Sequence, residues 1–180
     1  MVAALVLAGS AVLPGECHAQ AKCPWLNAAT AAGVLGGDVQ MAVSTPVDPG
    51  SSKGAGTSMY PEVRTDHFDV SCDFSRKVDS GIYSLSIAVK TMSDPAKDYR
   101  TFLAQCTGPT VALKGIGNEA IQCVRKDSTH AGYEQVIARV RDRAFVLTIH
   151  REAKTPRATD RDELSSETRN VAEQVAGSLF

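Results

Sequence analysis

Apolar and polar residues alternate most clearly in the middle of the chain. The stretch "HFDVSCDFSR" puts Phe68, Val70, Cys72 and Phe74 on one side and His67, Asp69, Ser71 and Asp73 on the other. The stretch "GIYSLSIAVK" repeats the pattern with Tyr83, Leu85, Ile87 and Val89 on its apolar side. A period of two residues is that of a β-strand with one buried face. The tripeptide Asp79-Ser80-Gly81 between the two stretches indicates a turn, so we predict a hairpin.

Four further strands are predicted, one before this hairpin and three after it. Before it, "DVQMAVSTPV" alternates Val39, Met41 and Val43. After it come "EAIQCVRK", "GYEQVIARVRD" and "RAFVLTIHR", of which the last two are joined tightly at Asp142. Together these patterns predict a sheet of about six strands.

Three segments carry the signals of helices. Asn27 is a suitable N-cap for a first helix, and Gly36-Gly37 would end it. Asp94 and Pro95 are suited to begin a second helix. Its apolar stripe is Tyr99, Phe102, Leu103 and Cys106, and that of the C-terminal segment is Leu164, Thr168, Val171, Val175 and Leu179. This helical spacing predicts one buried face for each helix.

The predicted order is α-βββ-α-βββ-α. Runs of hairpin-linked strands with few helices are typical of the α+β class with an antiparallel sheet. A duplicated αβββ unit is one interpretation of this order, although the residue-level match between the two halves is poor. The Gly-, Ser- and Pro-rich stretch 46–62 is predicted to be a mobile loop inside one domain that spans residues 22–180.

The first 21 residues have the layout of a secretory signal peptide. A twelve-residue apolar run, Val2 to Leu13, is followed by Pro14-Gly15 and then by the A-x-A site Ala19 to Ala21. The run is shorter than the roughly 20 residues that span a bilayer. We therefore predict cleavage after Ala21 and a periplasmic or secreted location.

Four cysteines remain after this cleavage, at positions 23, 72, 106 and 123. An even number in an exported protein indicates two disulfides, and three pairings are possible. We favour Cys23–Cys72 and Cys106–Cys123, because each would join a helix to a strand within one half of the chain. Zinc is disfavoured, since its sites use close pairs such as C-x-x-C. We expect no metal and no cofactor.

The charge of the chain limits the classes of partner. Without residues 1–21 the chain carries equal numbers of basic and acidic residues, nineteen of each. A neutral protein has no global attraction to nucleic acid or to an anionic membrane. The densest basic stretch is "RVRDR", Arg139 to Arg143, whose arginines 139, 141 and 143 are candidates for binding an anionic envelope polymer or an acidic protein surface.

The stretch "KGIGNEAIQC" contains a Gly-x-Gly. A dinucleotide-binding loop needs a third glycine and a following helix, and a P-loop needs Gly-Lys-Ser/Thr. Neither is present, and a strand pattern follows. We predict that Gly115 and Gly117 form a turn.

Several short motifs resemble those of a family of small exported bacterial envelope proteins of unknown function. They are "CPWLNAATAAGVLGG", the strand cysteine in "CDF", "KGIGNEA", "RDRAFVLTIHR" and the terminal "VAEQVAGSL". The family includes actinobacterial lipoproteins with an N-terminal cysteine-containing helix and a later G-x-G-D/N-E-A turn. This sequence departs from them in having no lipid-attachment cysteine. The resemblance implies an α+β envelope domain with a helix-to-strand disulfide, and it implies no activity.

Candidate chemistry is sparse. His67 would share a strand face with Asp69 and Asp73, which permits a small periplasmic hydrolase as one hypothesis, although polar residues are also what a solvated sheet face needs. His150, at the end of a strand, is predicted to have no chemical function. No G-x-S-x-G elbow is present.

The leading hypothesis is a non-enzymatic module that binds a ligand or an envelope protein. Its predicted surface is the polar side of the sheet, Ser84, Ser86, Lys90, Asp69 and Asp73, with Arg139 and Arg141 nearby. A structural or assembly factor is the third hypothesis.

Overall fold

In the computed structural model, the described part of the chain is residues 22–45, 68–79, 81–125, 133–151 and 158–180. The predicted signal peptide, the whole predicted loop 46–62 and His67 lie outside it. The helices are α1 (Ala28–Leu35), α2 (Pro95–Leu103) and α3 (Ala158–Leu179). The strands are β1 (Gln40–Ser44), β2 (Val70–Val78), β3 (Gly81–Thr91), β4 (Cys106–Ala112), β5 (Glu119–Arg125), β6 (Tyr133–Val140) and β7 (Arg143–His150).

The strands form one antiparallel sheet in the order β1-β2-β3-β7-β6-β5-β4. Sequential hairpins build each half, and the non-sequential pair β3–β7 joins the halves at the centre. The α+β class and the antiparallel sheet are therefore confirmed.

One face of the sheet carries α1 and α3 over the larger apolar cluster. Here Cys72, Phe74, Leu85 and Ile87 meet Phe145, Leu147 and Ile149 of β7 and Leu35, Val171 and Val175 of the two helices. All of these side chains are almost completely buried. We call this surface the helix face.

The opposite surface, which we call the second face, carries α2 over part of its area. A second apolar cluster joins Tyr99 and Phe102 of α2 to Ala88, Ile137 and Val146 of the strands. The Tyr99 hydroxyl donates to the Ile137 carbonyl, and burial raises its pKa to about 12. The second face is therefore apolar under α2 and mainly polar elsewhere, whereas the sequence had predicted one wholly polar face.

Local signals set the ends of the first two helices as predicted. Asn27 Oδ1 accepts a 2.8 Å hydrogen bond from the Thr30 backbone, and Gly36 ends α1 in the left-handed region at φ 76°. Asp94 accepts from the Lys97 backbone, and Pro95 occupies the first turn of α2. A side-chain acceptor at the N-cap satisfies a backbone donor that the helix leaves free.

The order of elements was predicted with one strand too few, because β4 was missed. Its residues "CTGPTVA" contain Gly108 and Pro109, which are turn signals in isolation. Proline is tolerated in an edge strand, where one row of backbone groups needs no partner in the sheet. The observed order is α-βββ-α-ββββ-α.

The interpretation as a duplicated αβββ unit is not supported. If the chain held two copies of an αβββ unit, a two-fold axis perpendicular to the sheet would relate β3 to its antiparallel neighbour β7. Such an axis does not exchange the two faces of the sheet, so α1 and α2 would pack on the same face. Instead, α1 packs on the helix face and α2 on the second face.

Both predicted disulfides are present. Cys23–Cys72 and Cys106–Cys123 have Cα–Cα distances of 5.7 and 5.8 Å, within the usual range for a disulfide. The prediction that each joins a helix to a strand was wrong. Cys23 precedes α1, and Cys106 lies in β4, so the second bridge joins neighbouring strands beside a register shift.

Phe68 was predicted to share a face with Cys72 and Phe74, and this was wrong. It packs in the cluster of the second face, with its ring centroid 5.5 Å from that of Phe102. Because β2 begins only at Val70, the alternation of the strand does not extend back to Phe68.

The Gly-x-Gly stretch is a turn, as predicted, and it joins β4 to β5. Gly115 and Gly117 have φ values of 83° and 59°, which favour glycine. Ile116 between them is buried in the larger cluster. Asn118 fixes the turn to the β6–β7 hairpin: its backbone donates to the Arg139 carbonyl, and its side chain accepts from the Arg141 backbone.

Candidate functional site: a polar band on the second face

Strand register gathers polar side chains into two adjacent rows on the second face. The first row runs Asp73, Ser86, Thr148, Gln135 across β2, β3, β7 and β6. The second runs Ser75, Ser84, His150, Tyr133 across the same strands. We call these eight residues the polar band. With neighbouring strands about 4.8 Å apart, each row spans about 14 Å.

Burial is deepest in the middle of the first row. Gln135 is 2% exposed and Thr148 is 8% exposed, whereas Asp73 and Ser86 are half-buried. The whole second row is half-buried. The band is thus set into the second face and does not project from it.

One buried acceptor in the polar band has no partner. The Gln135 Oε1 atom is buried and receives no hydrogen bond, and beside the band the Ser71 hydroxyl is in the same condition. A buried polar atom without a partner costs about 1–3 kcal/mol. Such a cost at a ligand site is offset when a ligand donates to the atom.

Asp73 is the acidic residue of the polar band. The Ser86 hydroxyl donates a 2.7 Å hydrogen bond to its Oδ1 atom. Burial raises the pKa of Asp73 above its ordinary value, and the hydrogen bond from Ser86 offsets only part of this rise. The carboxylate therefore lies in a site that stabilises its charge poorly.

Asp69 lies outside the polar band, four residues before Asp73 and about 13 Å away along extended chain. Lys90 Nζ donates to its Oδ1 atom at 3.0 Å, and the Thr91 backbone donates to its Oδ2 atom at 2.6 Å. Burial alone would raise the pKa of Asp69, but these hydrogen bonds and the charge of Lys90 outweigh it, and the pKa is lowered.

The predicted surface residues therefore divide into two groups. Ser84, Ser86 and Asp73 belong to the polar band, whereas Asp69 and Lys90 form an ion pair near the end of β3. The hydrolase hypothesis needs His67 beside either Asp69 or Asp73. His67 lies outside the described residues.

The three candidate arginines do not form one surface. Arg139 lies on the second face and pairs with Glu119 at 2.5 Å, next to α2. Arg141 is in the turn, with its guanidinium 5.5 Å from the ring centre of Phe180. Arg143 is exposed and pairs in register with Val140, which belongs to the helix face.

Sequence patterns missed five of the eight residues of the polar band, which were not predicted as a surface: Ser75, Thr148, Gln135, Tyr133 and His150. Thr148 and Gln135 lie in β7 and β6, which are buried on both faces and so lack alternation. The rings of Tyr133 and His150 lie 5.9 Å apart at the end of the second row. Register across the sheet is the signal that would have found them.

Comparisons of the chain with family models, with curated proteins and with solved structures find no match. Of the helices in the described ranges, none has the length and hydropathy needed to cross a membrane. The described residues also contain no group of three or more His, Cys, Asp or Glu side chains placed to hold a metal ion.

Proposed function

We propose that this protein is a non-enzymatic binding module of the cell envelope or the secreted fraction, and that the polar band is its binding surface. One observation carries the proposal: register across four strands brings eight side chains that can form hydrogen bonds onto one face, beside an apolar cluster. A buried acceptor without a partner and a poorly stabilised carboxylate within this band indicate a site arranged for a ligand.

The disulfides support the location. Two bridges in one chain are typical of oxidising compartments. We propose export through cleavage after Ala21, in agreement with the signal-like residues 1–21. Mass spectrometry of the exported protein would then find a chain that begins at Lys22. Its mass would be lower than that of the reduced form by the two hydrogen atoms that each disulfide removes. A retained N-terminus would contradict the export step.

Retention on an envelope fraction of the producing cells tests the binding step. Thr148→Val keeps the shape of a buried β-branched side chain and removes its hydroxyl. We expect this variant to be retained at least several-fold less well than the unmodified chain, because a ligand hydrogen bond contributes about 1 kcal/mol. Thr30→Val, on α1 at the helix face, is the matched control and should be retained normally. Equal retention of both variants would contradict the polar band as the surface.

The three arginines of the β6–β7 hairpin give a second arm to this experiment. Replacing Arg139, Arg141 and Arg143 by serine would weaken retention if an anionic polymer binds there. Since these three side chains point to different surroundings, we expect the triple variant to be retained like the unmodified chain. Loss of retention in this variant alone would move the binding surface to the hairpin.

A further inference from the structure

The chemistry of the polar band limits what it can bind. Its residues include one carboxylate and one histidine but no lysine and no arginine, so the band offers an anionic ligand no permanent positive charge. Lys90, near one end, is already paired with Asp69. Lys77 is exposed and lies on β2 two residues beyond Ser75 of the second row, so it is outside the polar band.

Two acceptors of the polar band have hydrogen-bonding capacity that the structure leaves open. Gln135 Oε1 has no partner, and Asp73 receives one side-chain hydrogen bond, from Ser86, although a carboxylate offers about four lone-pair sites. The hydroxyls of Ser75, Ser84 and Thr148 can both donate and accept. A complementary ligand carries several hydroxyls that donate to the acceptors and accept from the serines and Thr148.

An aromatic ring closes one end of the polar band. Tyr133 is half-buried and tilted against His150. Half-buried tyrosine offers an apolar face and a polar hydroxyl at the same place. The face suits the C–H side of a ring whose edges carry hydroxyls.

Building on the proposed function, we infer that the polar band binds a neutral oligosaccharide, laid across β2, β3, β7 and β6. Hydroxyls of the sugar donate to Gln135 Oε1 and to Asp73 and accept from the serine and threonine hydroxyls. One sugar ring packs on Tyr133. Each strand adds one polar side chain to a row, about 4.8 Å from the next, so a saccharide that lies across the strands meets a polar group at every strand.

Calorimetric titration of the full chain tests this ligand class. The probes are neutral hexasaccharides of glucose, mannose, galactose and N-acetylglucosamine, with a polyuronate hexasaccharide and spermidine as anionic and cationic comparisons. We expect binding of at least one neutral probe, roughly tenfold weaker in Asp73→Asn and in Thr148→Val, and unchanged in Asp38→Asn and Thr30→Val. Binding of the polyuronate or spermidine alone, or equal affinity in all variants, would overturn the inference.

Treatment of the envelope fraction separates this inference from the proposed function. Periodate cleaves vicinal diols, so it should abolish retention of the protein, whereas protease treatment should leave retention intact. If retention depends on Thr148 but survives periodate, the oligosaccharide is wrong and the binding surface stands. If retention does not depend on the polar band at all, both proposals are overturned.

Discussion

The Ser86 hydroxyl lies 2.7 Å from Oδ1 of Asp73, across the β2–β3 pair, and donates a hydrogen bond to it. This contact opens a row of polar side chains that continues through Thr148 to Gln135 on the second face. Two of the four side chains in that row are almost completely buried, although all four can form hydrogen bonds. A buried polar atom without a partner, such as Gln135 Oε1, needs an explanation, and a ligand that donates to it is the one proposed above.

The first prediction concerns the pH dependence of stability at Asp73. Because burial raises the pKa of folded Asp73 above 3.8, the folded state keeps this proton to higher pH than the unfolded state does. The stability that this residue contributes is present at low pH and is lost as pH rises through that raised value. Asp73→Asn should therefore gain stability over the unmodified chain between acidic and neutral pH, measured by urea unfolding.

Asp69→Asn is the matched comparison for that measurement. The pKa of Asp69 is lowered, so its contribution is present above 3.8 and is lost as pH falls through the lower folded value. This variant should lose stability at neutral pH and approach the unmodified chain in acid. Curves of the same sign for both variants would contradict the assignment of the two carboxylates.

A second prediction tests the close approach between the β4–β5 turn and the β6–β7 hairpin. A β-carbon on Gly117 would lie 2.3 Å from the Arg139 carbonyl oxygen, at a φ of 59°. Gly117→Ala should lower the free energy of unfolding by more than about 2 kcal/mol, from strain and displacement together.

Gly115→Ala provides the control for that turn. Gly115 has a φ of 83° but no atom within 4 Å of an added β-carbon. Its substitution should therefore cost only the backbone strain, about 1 kcal/mol. Equal losses in the two variants would show that the contact with Arg139 does not constrain the turn.

A third prediction compares the two disulfides. In the loop-entropy model, the Cys23–Cys72 bridge, which spans 49 residues, contributes about 4 kcal/mol. The Cys106–Cys123 bridge spans 17 residues and contributes about 3 kcal/mol. Replacing each pair by alanine and measuring unfolding should give the larger loss for Cys23–Cys72. The reverse order would mean that strand geometry matters more than the length of the closed loop.

A fourth prediction concerns the end of α1. Arg76 Nη1 donates to the Leu35 carbonyl at 2.8 Å, and Arg151 donates to the Val34 carbonyl and to Glu167 of α3. Cations favour the C-terminus of a helix. Arg76→Met keeps the aliphatic stem and should lower the free energy of unfolding by about 1–2 kcal/mol.

Lys77→Met is the neighbouring control on β2, since Lys77 is exposed and faces away from α1. Its effect should stay within about 0.5 kcal/mol. Amide hydrogen exchange should show faster opening of α1 in Arg76→Met and not in Lys77→Met. If neither variant changes α1, the arginine does not hold the helix end.

The sequence correctly predicted the helix ends and the hairpin that are set by residues close together along the chain. The caps at Asn27 and Asp94 and the β2–β3 hairpin follow from residues within a few positions of one another. The cysteine pairing was also right, although the elements that hold Cys23 and Cys106 were not helices.

What the sequence did not predict depends on long-range placement. β4 carries turn residues that an edge position tolerates, so it lacks a strand pattern. The buried strands β6 and β7 have no alternation, which left Gln135 and Thr148 without an assigned face. The polar band becomes visible only when register sets four strands side by side, and it lies beside the part of the second face that α2 covers.

The most direct test of the central claim maps the binding surface residue by residue. Amide NMR spectra of the labelled chain, recorded with and without a solubilised envelope fraction, report which backbone groups change environment. The polar band predicts shifts concentrated at residues 73–75, 84–86, 133–135 and 148–150. Shifts confined to residues 139–143, or to α3 on the helix face, would contradict it.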